Sequence, residues 1–158
     1  DFTDKHEVVK EVISLFVKNQ GKYAGIVVDV LFDHLLAKNW MIFHASESLE
    51  DFANNVYSVL PNYQHFFPDR MDKMVQSLLM HKWLPQYRTE EGVRMALAGI
   101  SKRTSTLHSF DSAFDDFYTH ESVISDLFLL YYPQLQLFCI DYLSKKLIRI
   151  PQLFRVKF

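Results

Sequence analysis

Apolar residues recur along this chain every three to four positions, the spacing of one face of an α-helix. Val9, Val12, Ile13 and Phe16 form the first such stripe, with Thr3 or Asp4 available as a cap before it and Asn19, Gln20 and Gly21 as a stop after it. A second stretch, Tyr23 to Trp40, is apolar on nearly every side, the pattern of a buried helix. Ser46 or Ser48 can cap a third helix through Phe52, Val56, Val59 and Leu60, which Pro61 should end. Pro68 suits the first turn of a fourth, which carries Met71, Met74, Val75, Leu78 and Leu79 towards Trp83 and Leu84. Thr89 followed by Glu90 and Glu91 starts a short helix with Val93, Leu97 and Ile100 on its apolar face. A sixth includes Leu107, Phe110, Phe114 and Phe117, and a last one runs from near Thr119 through Leu127 and Leu137 to Ile140, kinked or interrupted at Pro133. Period-two alternation is confined to the tail IPQLFRVKF, so the expected fold is all-α.

Composition narrows the class. The 158 residues suffice for one domain with a proper core, and 49% hydrophobic, 23% charged and 15% aromatic residues describe a globular chain rather than a disordered one. A net charge of −2 argues against a general nucleic-acid binder. The charge is uneven: residues 1–141 sum to −7, whereas residues 142–158 carry Lys145, Lys146, Arg149, Arg155 and Lys157 with no acid. That basic end suits an acidic partner or a solvated terminus equally. The single cysteine, Cys139 in LQLFCI, excludes an intramolecular disulfide framework and reads as an inert core thiol. Without an uninterrupted apolar run of about 18 residues or a signal-peptide pattern, the expectation is a cytoplasmic protein with no membrane span.

The candidate chemistry sits on the apolar second helix. Asp29 and Asp33, four residues apart, project from one face on successive turns, and His34 points about 100° round the helix from Asp33. Carboxylates among apolar neighbours need a partner, a proton or a metal. Two readings follow: structural pairing with an Arg or a helix terminus, or a site of hard oxygen donors suited to Mg²⁺ or Mn²⁺. Asp4 and His6 in FTDKH precede the first helix, where Asp4 can act as a cap or turn towards the same site. Lys102 and Arg103 form the one basic pair placed to clamp phosphate or to complement a helix dipole. His44, His65, His81, His108 and His120 lack metal-ligand spacing and read as surface residues, while Tyr118, Phe128, Tyr131, Tyr132 and Phe138 read as core or groove lining. With four glycines and no Gly-rich loop, Walker and Rossmann nucleotide sites are excluded.

FTDKH, then GIVVDVLFDHLLAKNW, WLPQY, Gly99 with the following SKR, and YYPQL together resemble the acyl carrier protein phosphodiesterases over almost the whole chain. The resemblance implies an HD-domain-like helical bundle that hydrolyses the phosphodiester between 4′-phosphopantetheine and a serine of holo acyl carrier protein, using Mn²⁺ or Mg²⁺. It carries Asp4 over as part of a Thr-Asp motif and Asp29, Asp33 and His34 as an Asp-x3-Asp-His motif. Asp29, Asp33 and Asp4 become candidate metal ligands, Asp33, His34 and Asp4 candidate catalytic groups, and Arg103 a candidate for the phosphate charge. The chain departs from the pattern in having Glu7 where proline is usual. It also begins after the N-terminal segment in which such proteins carry a histidine, further acids and an Arg-x-Ile-Asp run. Two other functions fit the same residues: a non-catalytic helical module for an acidic protein partner, and an HD-type phosphohydrolase acting on nucleotides.

Overall fold

The centre of the fold is set by the stretch with the fewest polar positions. In the computed structural model, which describes residues 2–103 and 108–148, this stretch is α3, Ala24–Lys38. It is preceded by a short turn of helix α1, Phe2–Lys5, and by α2, Glu7–Gln20, which buries Val9, Val12, Phe16 and Gln20 along one face. Gly21 closes α2 at φ +52°, a conformation that costs a side-chain-bearing residue steric strain, and a 3-10 turn over Gly21–Tyr23 folds the chain back so that α3 packs along α2. The following helices are α4 (Trp40–Phe43), α5 (Leu49–Tyr63), α6 (Asp72–His81), α7 (Glu90–Ser101), α8 (Ala113–Thr119) and α9 (Glu121–Ile148). A 3-10 turn over Pro85–Arg88 leads into α7 and packs on α3. The core gathers α2, α3, this turn, α7, α8 and α9 around Phe16, Leu31, Leu35, Phe114, Phe117 and Phe128. The architecture is all-α, with no strand among the described residues.

Two predicted caps are in place. Ser48 Oγ accepts from the Asp51 amide at 3.0 Å, and Thr89 Oγ1 accepts from the Gly92 amide at 3.1 Å. The cap of α2 is not: His6 occupies that position in extended conformation and makes no side-chain capping bond. Asp4 lies inside α1, and the Thr3 hydroxyl is drawn away to share a 2.9 Å hydrogen bond with the Tyr131 hydroxyl on α9.

Neither proline breaks its helix. α5 continues past Pro61 to Tyr63, and α9 runs unbroken through Pro133. Pro133 and Leu129, whose carbonyl loses its partner, are both exposed, so water can satisfy the freed oxygen. The sixth helix is shorter than its apolar spacing suggests, because Ser109 Oγ bonds to both the amide and the carboxylate of Asp111 and holds a turn ahead of α8. Leu107 and the tail IPQLFRVKF lie outside the described residues.

Cys139 is exposed rather than buried, because α9 outruns the core. Ile124, Phe128 and Tyr131 are buried, while Leu137 and Ile140 beyond them are 67% and 61% exposed. Phe138 and Tyr118, expected in core or groove, are exposed as well. The stretch Glu121–Lys146 is long and apolar enough to cross a membrane by length and composition, a test that core helices of soluble proteins also pass. His44 and His108 are not simple surface residues: each is half-buried, with His44 Nε2 3.0 Å from the Tyr132 hydroxyl and His108 Nε2 3.0 Å from Gln20 Oε1.

Candidate active site

Helix α3 buries nine of its residues and leaves one strip uncovered, and the strip carries both acids. Ile26 and Leu36 are half-buried at its ends, with Asp29 and Asp33 open to water between them. The carboxylates are therefore not deep in the interior, as the apolar pattern around them suggests, but at the edge of a concavity. Asp33 borders a cleft of about 320 Å³ whose walls include Trp40, Leu49, Phe52, Trp83 and Tyr87. Water reaches the carboxyl from outside while these walls thin its hydration, which, with the charge of Asp29, pushes its pKa up to about 6. Asp29 is raised by the same crowding and by the charge of Asp4 on α1. Tyr131, tied to α1 through Thr3, is also raised, mainly by burial and further by Asp29 and Asp4. The charge of Asp4 thus bears on Asp29, and that of Asp29 on Asp33. Among the described residues, neither Asp29 nor Asp33 makes a salt bridge to an arginine.

His34 looks elsewhere. Its ring is buried, edge-on to Phe117 at 6.0 Å and Phe114 at 6.4 Å, and Nδ1–H donates to the Tyr87 carbonyl at 2.6 Å. Burial lowers its pKa, with the Tyr87 carbonyl opposing the shift, so the ring holds its place as a neutral donor. The structure does not bring His34 to the acids. It brings it to the turn that carries Tyr87, whose ring borders the Asp33 cleft.

Tyr87 is the junction of the region. Its phenol is pushed up to about 12, chiefly by burial and then by the charge of Asp33, against the opposing charge of Arg103. Arg103 is exposed at the end of α7, where its Nε donates to the Gly99 carbonyl at 3.2 Å. It lines a second, larger cleft of about 810 Å³ between α6 and α7, which Trp83 and Tyr87 also wall. Trp83 and Tyr87 line both clefts, so the same two rings stand between Asp33 and Arg103. Sequence reasoning passed over Trp83 and Tyr87 as site residues; the available signal was an aromatic pair bracketing a proline in WLPQY.

Among the described residues, no group of three His, Cys, Asp or Glu side chains is placed to hold a metal ion together. The donor chemistry nonetheless suits a hard cation. Asp29 and Asp33 offer carboxylates on successive turns whose mutual repulsion a divalent ion would relieve, and Mg²⁺ commonly takes only one or two protein carboxylates beside water and phosphate oxygens.

Residues 1–135 match the family model described as acyl carrier protein phosphodiesterase. Three similar proteins carry that name. The one from Yersinia pestis is 30% identical over 132 residues, covering 83% of this chain and 68% of the relative. That from Photorhabdus laumondii is 26% identical over 131 residues, covering 83% and 66%. That from Yersinia enterocolitica is 28% identical over 131 residues, covering 83% and 68%. The chain therefore spans about two thirds of the length of these relatives. No solved structure matches it.

Proposed function

The chain belongs to the acyl carrier protein phosphodiesterase family, a family of phosphoric diester hydrolases, and on that premise we propose that it removes 4′-phosphopantetheine from holo acyl carrier protein. The observation that carries the reading is the Asp33 carboxylate, without an arginine partner among the described residues and set at the edge of an aromatic-walled cleft.

In the proposed reaction a water oxygen bonds to phosphorus, the bond from phosphorus to the serine oxygen breaks, and that oxygen takes up a proton from solvent. Asp33, ionised at neutral pH, receives the proton of the attacking water at Oδ. Arg103 sets its guanidinium charge against the phosphate. Tyr87 stays protonated and donates from the wall between them, held in place through its backbone by His34. Asp29 and Asp33, with Asp4 in support, would hold a divalent ion, Mn²⁺ or Mg²⁺, which would supply positive charge to the phosphate.

Incubating the protein with holo acyl carrier protein and Mn²⁺ and following the carrier by mass spectrometry tests this. Conversion to the apo form is expected, with loss of at least about a hundredfold in rate for Asp33→Ala, in line with removal of a general base. A wild-type protein that leaves the carrier unchanged rejects the reading. In parallel, Mn²⁺ should raise the melting temperature of the wild type and not of Asp33→Ala, because a ligand that binds only the folded state stabilises it.

A further inference from the structure

Apart from Arg103 and Tyr87, the larger cleft has a size and lining that the chemistry at phosphorus does not use. Its volume of about 810 Å³ is of the order of a small-molecule site. One wall is α6, through Met74, Ser77 and His81; the other is α7, through Met95, Ala96 and Ile100; Trp83 and Tyr87 close it towards Asp33. Met74 and Met95 are 39% and 54% exposed, a cost in apolar surface that the fold does not explain. Thioethers adapt to flexible apolar chains. Gly99 opens directly into this space, because a Cβ built there meets nothing within 4 Å. The cations Lys73 and Arg103 and the imidazole of His81 stand in the same lining.

We propose that this cleft binds the pantetheine portion of the substrate's arm. The scissile phosphate then lies between Arg103 and Asp33, and the methylene-and-amide chain runs past Trp83 and Tyr87 between α6 and α7 to place its thiol end against Met74 and Met95. The assignment rests on the phosphodiesterase reading for the identity of the arm. Trp83 and Tyr87, which line both clefts, give the direction, and the mixture of thioether, aliphatic, hydroxyl and amide groups matches a chain that is alternately apolar and polar. A cleft built for a rigid planar ligand or for an inorganic anion alone would need neither the length nor the methionines.

Phosphate-free pantetheine is the probe, because it cannot be held by the charges around phosphorus. With methionine methyl groups labelled for NMR, pantetheine should shift the resonances of Met74 and Met95 and leave Met41, exposed on α4, in place. Gly99→Leu fills the cleft from a helical position with room for a side chain, and leucine is the better helix former, so the variant should melt at or above the wild-type temperature. It should weaken pantetheine binding at least about tenfold and raise KM for the holo carrier by a similar factor, with kcat changed far less. The arm assignment is overturned if pantetheine leaves Met74 and Met95 unshifted, or if Gly99→Leu binds it as wild type does, while the holo carrier is still hydrolysed. If pantetheine binds and Gly99→Leu abolishes binding but no carrier is converted, the cleft assignment stands and the hydrolytic reading falls.

Discussion

Asp33 is raised in the folded chain, which fixes the sign of its effect on stability. Its folded pKa of about 6 lies above the roughly 3.9 of an unfolded aspartate. Between those values the native state holds more protons than the unfolded one, so its contribution falls as pH rises through the window and is fully unfavourable above it. In metal-free buffer, Asp33→Asn should therefore melt above wild type at pH 7, and the gap should close as pH drops to about 4. A gap that widens on acidification would mean that the carboxylate is stabilised by a partner rather than strained by crowding. Gly92 makes the complementary residue-scale case. A Cβ there would stand 2.0 Å from the Gln86 carbonyl oxygen, a backbone atom already accepting from Thr89, so nothing can yield cheaply. Gly92→Ala should cost about 1–3 kcal/mol in chemical denaturation, the range for overpacking. A neutral result would require the turn at Pro85–Arg88 to shift. Asp29 and Asp33 could be picked from the sequence because acids on an apolar helix stand out in one dimension. Gly92 could not, because what marks it is the close approach of another segment, which no spacing within its own element encodes.

At the scale of elements, the join between α3 and the Pro85–Arg88 turn decides how the cleft wall is held. The Tyr87 carbonyl is buried against α3, and His34 Nδ1–H is the donor it receives there. His34→Ala removes that donor and leaves a void beside Phe114 and Phe117, so a loss of about 2–4 kcal/mol is expected from the unsatisfied carbonyl and the cavity together. His34→Asn keeps a short amide donor and should restore part of both stability and KM. If His34 instead moved protons during turnover, Asn would restore stability but not kcat, and the pH profile would lose a limb. The cap residues Ser48 and Thr89 were legible because capping is a local agreement between a side chain and the first turn. His6 at the head of α2, the uninterrupted passage of Pro133 and the shortened α8 were not legible. The first two depend on a partner far along the chain or on exposure, Thr3 reaching Tyr131 and the open face at Leu129, while the third turns on side-chain bonds at Ser109 that compete with the apolar spacing around them.

For the whole molecule, stability should be divided unevenly, with the weaker part on the side that encloses the clefts. The core cluster draws on α2, α3, α7, α8 and α9, whereas α5 gives it only Leu49 and α6 gives it nothing. Within α6 only Val75 is buried. The limb from Leu49 to His81 is fastened at one end by Trp40 against Phe52 at 4.8 Å and by Arg88 on Glu50 at 2.7 Å. Further along, the Tyr57 hydroxyl accepts from the Leu84 amide at 3.0 Å. The Arg88–Glu50 pair is solvent-exposed and contributes little. Few buried apolar contacts and exposed backbone bonds are the marks of segments that open sub-globally, below the free energy of complete unfolding. Native-state hydrogen exchange should accordingly show amides of Asp72–His81 exchanging at least about a hundredfold faster than those in the middle of α3, each corrected for intrinsic rates. Because α6 supplies one wall of the larger cleft, a ligand seated there should slow exchange in α6 while leaving α3 unchanged. Equal protection across both helices would show that the limb opens only with the core, and that access to the cleft does not require its movement.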